Sequence, residues 1–222
     1  MLPMSESLKL LSTTAVSIAF IHTLLGPDHY LPFIALGEAK KWSLPKTMLI
    51  TFLCGLGHVL SSVIIGFIGI AAGVAVNKLV GIETVRGSIA AWLFIAFGLI
   101  YMVVAIRNLV KGKHHSHQDH PNGEKADTLK ATPWVLFLIF AFGPCEPLIP
   151  IVMYPAAQNN ISGVILVSLL FSVVTIATMM GVVLLFRLGL TKINLKPIEK
   201  YSHLLAGFII FISGAAIQFL GL

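Results

Sequence analysis

Six apolar runs, roughly 11–37, 47–76, 88–106, 132–157, 161–186 and 202–221, alternate with short polar segments along the chain. Each approaches or exceeds the roughly 20 residues that an α-helix needs to cross a bilayer. The pattern predicts an all-α, polytopic membrane protein of six transmembrane helices. The first, second and fourth runs are long, as tilted helices or helices broken near their middles would be. One long polar stretch, RNLVKGKHHSHQDHPNGEKADTLK, separates the third run from the fourth and is expected to be a loop.

The pattern also repeats. GPDHYL (26–31) is matched by GPCEPL (143–148), and each continues through a further proline, Pro32 or Pro150, into an apolar stretch. The runs that follow are both rich in small and hydroxyl residues, GHVLSSVIIG (57–66) and VTIATMMG (174–181). FIAFGLIYMVVAI and FIIFISGAAIQFL give a weaker likeness between runs three and six. Three spans per half make the second half enter the membrane the opposite way round, an inverted-topology repeat of the kind common among secondary transporters. The expected organisation is one transmembrane domain over 1–222. Repeat A covers about 11–106, a His-rich cytoplasmic loop about 107–131, and repeat B about 132–222. Proline inside a span removes a backbone hydrogen bond and breaks or kinks the helix, so helices 1 and 4 are expected to be broken.

Composition agrees with membrane residence. The 222 residues are 57% hydrophobic and only 11% charged, against about 25% charged in soluble domains. The net charge of +6 is then a matter of loops and not of nucleic-acid binding. Twelve basic residues fall in the loops after runs one, three and five: Lys40, Lys41, Lys46, Arg107, Lys111, Lys113, Lys125, Lys130, Arg187, Lys192, Lys196 and Lys200. The opposite side carries Lys9, Lys78 and Arg86. Basic loops stay in the cytoplasm, which predicts a multi-pass protein of the cell (inner or plasma) membrane with both termini extracytoplasmic. The first run follows MLPMSESLKLL, which lacks a basic n-region, and is read as a retained span.

Two acids, Asp28 and Glu146, are expected deep in the spans, together with His22, His29 and His58. Ionisable groups at that depth are costly and usually functional. Imidazole with carboxylate suits divalent transition metals. Cys145 adds a soft donor beside Glu146, whereas Cys54 reads as a packing residue. The metal set predicted from sequence is therefore His22, Asp28, His29, His58, Cys145 and Glu146. His114, His115, His117 and His120, in HHSHQDH, form an auxiliary loop suited to weak metal capture. His203, near a span end, is expected at the interface.

HTLLGPDHYLPF (22–33) resembles the first-span His-x-Asp-His signature of the nickel/cobalt transporter superfamily, in particular its urease-accessory, UreH-like branch. LGHVLSSVIIG resembles that superfamily's second signature. The resemblance spans nearly the whole chain and implies metal recognition at His22, Asp28, His29 and His58. Five residues separate His22 from Asp28, where the nickel permeases have four. A second resemblance links FGPCEPLIPIVMYPA to the Pro-Cys motif of membrane thiol-electron carriers of the CcdA/DsbD type, which are similar in fold. Those carriers use one intramembrane cysteine per half. The first-half counterpart of Cys145 is Asp28.

The expected function is thus not enzymatic. It is secondary transport of a divalent transition metal, with nickel or cobalt favoured over zinc, manganese, iron or copper. The alternative is a transmembrane thiol–disulfide electron carrier. Lipid and the metal substrate are the expected partners, a homo-oligomer and a cytosolic metallochaperone are further candidates, and nucleic acid is not expected.

Overall fold

The computed structural model describes residues 4–111, 124–143, 145–191 and 196–221. The chain order is α1 (Met4–Leu25), a 3-10 turn (Pro27–His29), α2 (Leu31–Ala39), α3 (Leu44–Ala71), α4 (Val76–Val110), α5 (Glu124–Phe142), α6 (Leu148–Ala157), α7 (Ile161–Leu190), a second 3-10 segment (Lys196–Tyr201) and α8 (Ser202–Leu220). Among the described residues, five helical stretches are long and apolar enough to cross a membrane: Glu6–Leu25, Leu44–Ala71, Val76–Val110, Ile161–Leu190 and Glu199–Leu220. The run expected at 132–157 is instead two shorter apolar helices, Thr132–Phe142 and Leu148–Ala157. The chain is therefore a helical membrane protein with five span candidates among the described residues.

Both runs that carry Gly-Pro are interrupted. Gly26 ends α1, and the Pro27–His29 turn precedes α2. Gly143 follows α5, and α6 resumes at Leu148. Proline has no N–H to continue the helical ladder, and it disfavours the α conformation in the residue before it.

The helix α3 illustrates how the bundle is built. Leu49, Phe52, Leu56, Leu60, Ile64 and Ile68 recur every three to four residues and are exposed. The opposite face buries Thr47, Thr51, His58 and Ser62. Polar groups inside and large aliphatics outside invert the arrangement of a water-soluble helix and suit a bundle solvated by lipid. Without a hydrophobic drive between spans, close backbone approach at small residues holds helices together. At the α4–α8 contact a Cβ on Gly98 would stand 2.5 Å from the Phe211 backbone nitrogen, and one on Gly214 2.8 Å from Ala91 O. Only glycine lets these two backbones meet.

Two buried cores result. One gathers Phe33, Leu36, Cys54, Phe94, Leu136, Phe140, Met179 and Ile210. The other gathers Ala15, Ala19, Cys145, Leu148, Val152, Val167 and Phe171.

Two sequence expectations change here. The third span begins at Val76, not near 88, so Arg86 is a residue of α4 and not of a loop. Glu83, on the same helix, is fully buried. It joins Asp28 as an acid inside the bundle, where the hydropathy pattern places only Asp28 and Glu146. The histidines of the 114–120 loop lie outside the described residues.

Candidate functional site

Three imidazoles meet at the first break. His22 closes the last turn of α1, His29 stands on the 3-10 turn, and His58 comes from the inner face of α3. Ring centroids lie 5.0 Å apart for His22 and His29 and 5.2 Å for His29 and His58. Both His29 and His58 are 3% exposed.

Local geometry fixes two of the rings. His29 Nδ1 is 3.1 Å from Gly26 O and 3.2 Å from Asp28 Oδ1. Both partners accept, so the ring proton belongs on Nδ1 and the neutral ring keeps its lone pair on Nε2. His58 Nδ1 points in the same way at Phe140 O, 3.3 Å away. Glycine is required at 26, because a Cβ there would stand 2.5 Å from His29 Nδ1 and 2.9 Å from Asp28 Oδ1. The Nε2 atoms of His22, His29 and His58 are all buried without a hydrogen-bond partner. Metal-binding histidines commonly donate one ring N–H to a carbonyl or carboxylate and leave the other nitrogen for the ion. Two imidazoles on one tetrahedral ion, with metal–nitrogen bonds of about 2.0–2.1 Å, would have centroids about 5 Å apart. The ring spacing fits such a group. As the side chains stand, however, no three His, Cys, Asp or Glu residues among the described residues focus on a single ion.

The second break is organised differently. Glu83 Oε2 accepts hydrogen bonds from Ser62 Oγ at 2.9 Å and from Cys145 N at 3.0 Å. Arg86 pairs with Glu83 Oε1. It also donates through Nη2 to Ser61 Oγ at 2.7 Å, Ala141 O at 3.0 Å and Gly143 O at 3.3 Å. Backbone groups freed where α5 stops are thus satisfied by side chains of α3 and α4. Gly143 also lies against His58, since a Cβ on it would be 3.0 Å from His58 Nδ1. The two breaks therefore meet across α3. At the end of the bundle formed by the turn between α2 and α3, Arg187 of α7 pairs with Glu38 and donates to Trp42 O at 2.7 Å.

Of the residues expected at the site, His22, Asp28, His29 and His58 are brought together. Cys145 is buried one layer away in the second core, its backbone N–H held by Ser62 and Glu83. Glu146 is exposed, outside the buried cluster, because the turn after the break aims residues 145 and 146 in different directions. Cys54 is buried in the first core, as a packing residue would be, and both cysteines are free thiols. His203 is hydrogen-bonded with Tyr101 Oη, 2.9 Å away. Sequence reasoning missed Glu83 and Arg86. Their i, i+3 spacing, opposite charges and the unbroken helical stretch before run three were the available signal.

A helical membrane bundle with two broken elements and a polar centre at their junction is the class this arrangement defines. The family model described as "Cytochrome C biogenesis protein transmembrane region" matches residues 32–216, and the chain belongs to that family. The matched stretch includes His58, Glu83 and Cys145 but starts after His22, Asp28 and His29. No curated protein and no solved structure matches the chain.

Proposed function

We propose that the chain is a secondary transporter built on its family's membrane fold, with a divalent transition metal ion as cargo, nickel or cobalt favoured. The observation that carries this reading is the trio of buried imidazoles, each with an unpartnered Nε2, two of them oriented by acceptors on Nδ1. Asp28 supplies the negative charge that a divalent cation needs inside a bundle. The six-span inverted repeat belongs to the same proposal, with α1–α2 corresponding to α5–α6, α3 to α7 and α4 to α8. Rocking of one half against the other would expose the site alternately, with both termini extracytoplasmic and the His-rich loop in the cytoplasm. Imidazole must be neutral to bind metal, so transport would be coupled to protons.

The family match on its own favours the other reading, a transmembrane thiol–disulfide electron carrier, over metal transport. That chemistry oxidises two thiols to one disulfide, releasing two electrons and two protons, and needs Cα atoms roughly 4.4–6.8 Å apart. Cys54 and Cys145 lie in separate cores, and in the proposed repeat Asp28 takes the place of a first-half cysteine. The buried imidazole trio supports the metal reading, whereas the redox reading requires Cys54 and Cys145 to pair.

Purified protein in liposomes, loaded with a metal-sensitive dye and offered Ni, Co, Zn, Mn or Cu, separates the two. Metal entry with wild type and Cys54→Ser, and none with Asp28→Asn or His58→Ala, is the expected result. Absence of entry for every metal, together with a trappable Cys54–Cys145 disulfide, would establish the redox reading instead.

A further inference from the structure

Five buried side-chain atoms among the described residues lack a hydrogen-bond partner, and only three belong to histidines. The others are Thr23 Oγ1 on α1 and Thr175 Oγ1 on α7, both residues fully buried. A helical hydroxyl normally has an easy partner, the carbonyl one turn back. This chain uses it repeatedly: Thr47 bonds Ser43 O, Thr51 bonds Thr47 O, and Ser172 bonds Ser168 O. Thr23 and Thr175 do not.

Their level in the bundle coincides with the imidazoles. Thr23 follows His22 directly. Gly55 of α3 packs against Ile176 and Met179 of α7, while Arg187, farther along α7, lies with Thr47 beside Gly37, so α3 and α7 run antiparallel. One turn beyond Gly55 along α3 is His58, and one turn back along α7 from Met179 is Thr175. Ala15, Ala19, Val167 and Phe171 share the second core, and Thr23 and Thr175 each lie one turn further along their helices. All five unsatisfied atoms therefore come from one layer where α1, the 3-10 turn, α3 and α7 converge.

We infer that the Thr23 and Thr175 hydroxyls belong to the cargo site and hydrogen-bond the water that a divalent cation retains when the imidazoles bind it. This rests on the metal reading and assigns the second half of the chain, through α7, a direct part in binding. Divalent ions give up their water reluctantly, and buried water sits where several polar partners meet. Three nitrogens and two hydroxyls supply such a shell without stripping the ion completely.

The test is calorimetric titration of NiCl2 and CoCl2 into the full chain in lipid nanodiscs. Thr23→Val and Thr175→Val keep the shape and remove the hydroxyl, with Thr23→Ala and Thr175→Ala as second variants if either valine protein fails to fold. Loss of one hydrogen bond to a bound water corresponds to roughly two- to tenfold in affinity. That weakening is expected for each variant, with thermal stability unchanged or raised and with near-normal affinity restored by Thr175→Ser. Thr51→Val, which removes a hydroxyl already satisfied by its own helix, should leave affinity unchanged. Wild-type affinity in the Thr23 and Thr175 variants, with metal binding intact, overturns the inference and spares the metal reading. No binding by wild type overturns both.

Discussion

Replacing Arg86 by methionine removes the cation that faces a fully buried carboxylate. Breaking a buried pair from one side costs about 3–5 kcal/mol, because the surviving charge is left uncompensated. For an ordinary buried pair, removing the second partner as well often restores stability. Here it should not. Arg86 also satisfies Ala141 O and Gly143 O, and Glu83 satisfies Cys145 N. In Glu83→Leu/Arg86→Met the amide keeps Ser62 Oγ at 3.1 Å, but two carbonyls at the end of α5 lose their side-chain donor. Each unsatisfied group costs about 1–3 kcal/mol, so roughly 2–6 kcal/mol remains in the double variant. Thermal unfolding in detergent, followed by tryptophan fluorescence, should show Arg86→Met melting on the order of 10 °C below wild type. The double variant should recover little of that loss. A double variant that melts with wild type would mean that the pair is an isolated ion pair and not the cap of the second break.

Three further outcomes follow from named contacts. Gly26→Ala places a methyl 2.5 Å from His29 Nδ1, so it should displace the ring and reduce metal binding by an order of magnitude or more, read by calorimetry. Gly98→Ala sets a Cβ 2.5 Å from backbone on α8, where no side chain can give way. It should cost about 1–3 kcal/mol as overpacking does, seen as a lowered melting temperature. Replacing His114, His115, His117 and His120 by alanine should shift the apparent metal affinity of transport and leave its maximal rate largely intact, since short His-rich tracts suit metal capture; complete loss of uptake would place that segment in the pathway itself.

The breaks were legible because proline has only a few backbone consequences inside a span, and GPDHYL and GPCEPL place it at matching points. His58 was legible as a lone imidazole in an apolar run. Glu83 and Arg86 were not. A hydropathy reading treats charge as the edge of a span, and so it ended the third span near 88. The pair enters the bundle because each charge neutralises the other and both serve broken backbone, a coupling that no single-residue scale contains. Glu146 misled for a related reason: its neighbour Cys145 is buried, but a turn of the kind that follows Gly143 separates adjacent side chains. The inward hydroxyls of Thr23 and Thr175 were hidden because most helical hydroxyls bond their own backbone, and the exceptions are set by tertiary packing.

The most direct measurement of the central claim is X-ray absorption on the nickel-loaded full chain. The account predicts two or three imidazole nitrogens at about 2.0–2.1 Å from the metal, with oxygen completing the shell, and loss of the imidazole signal in His58→Ala. A first shell dominated by sulfur at about 2.3 Å, or no bound metal beside an oxidised Cys54–Cys145 pair, would contradict it.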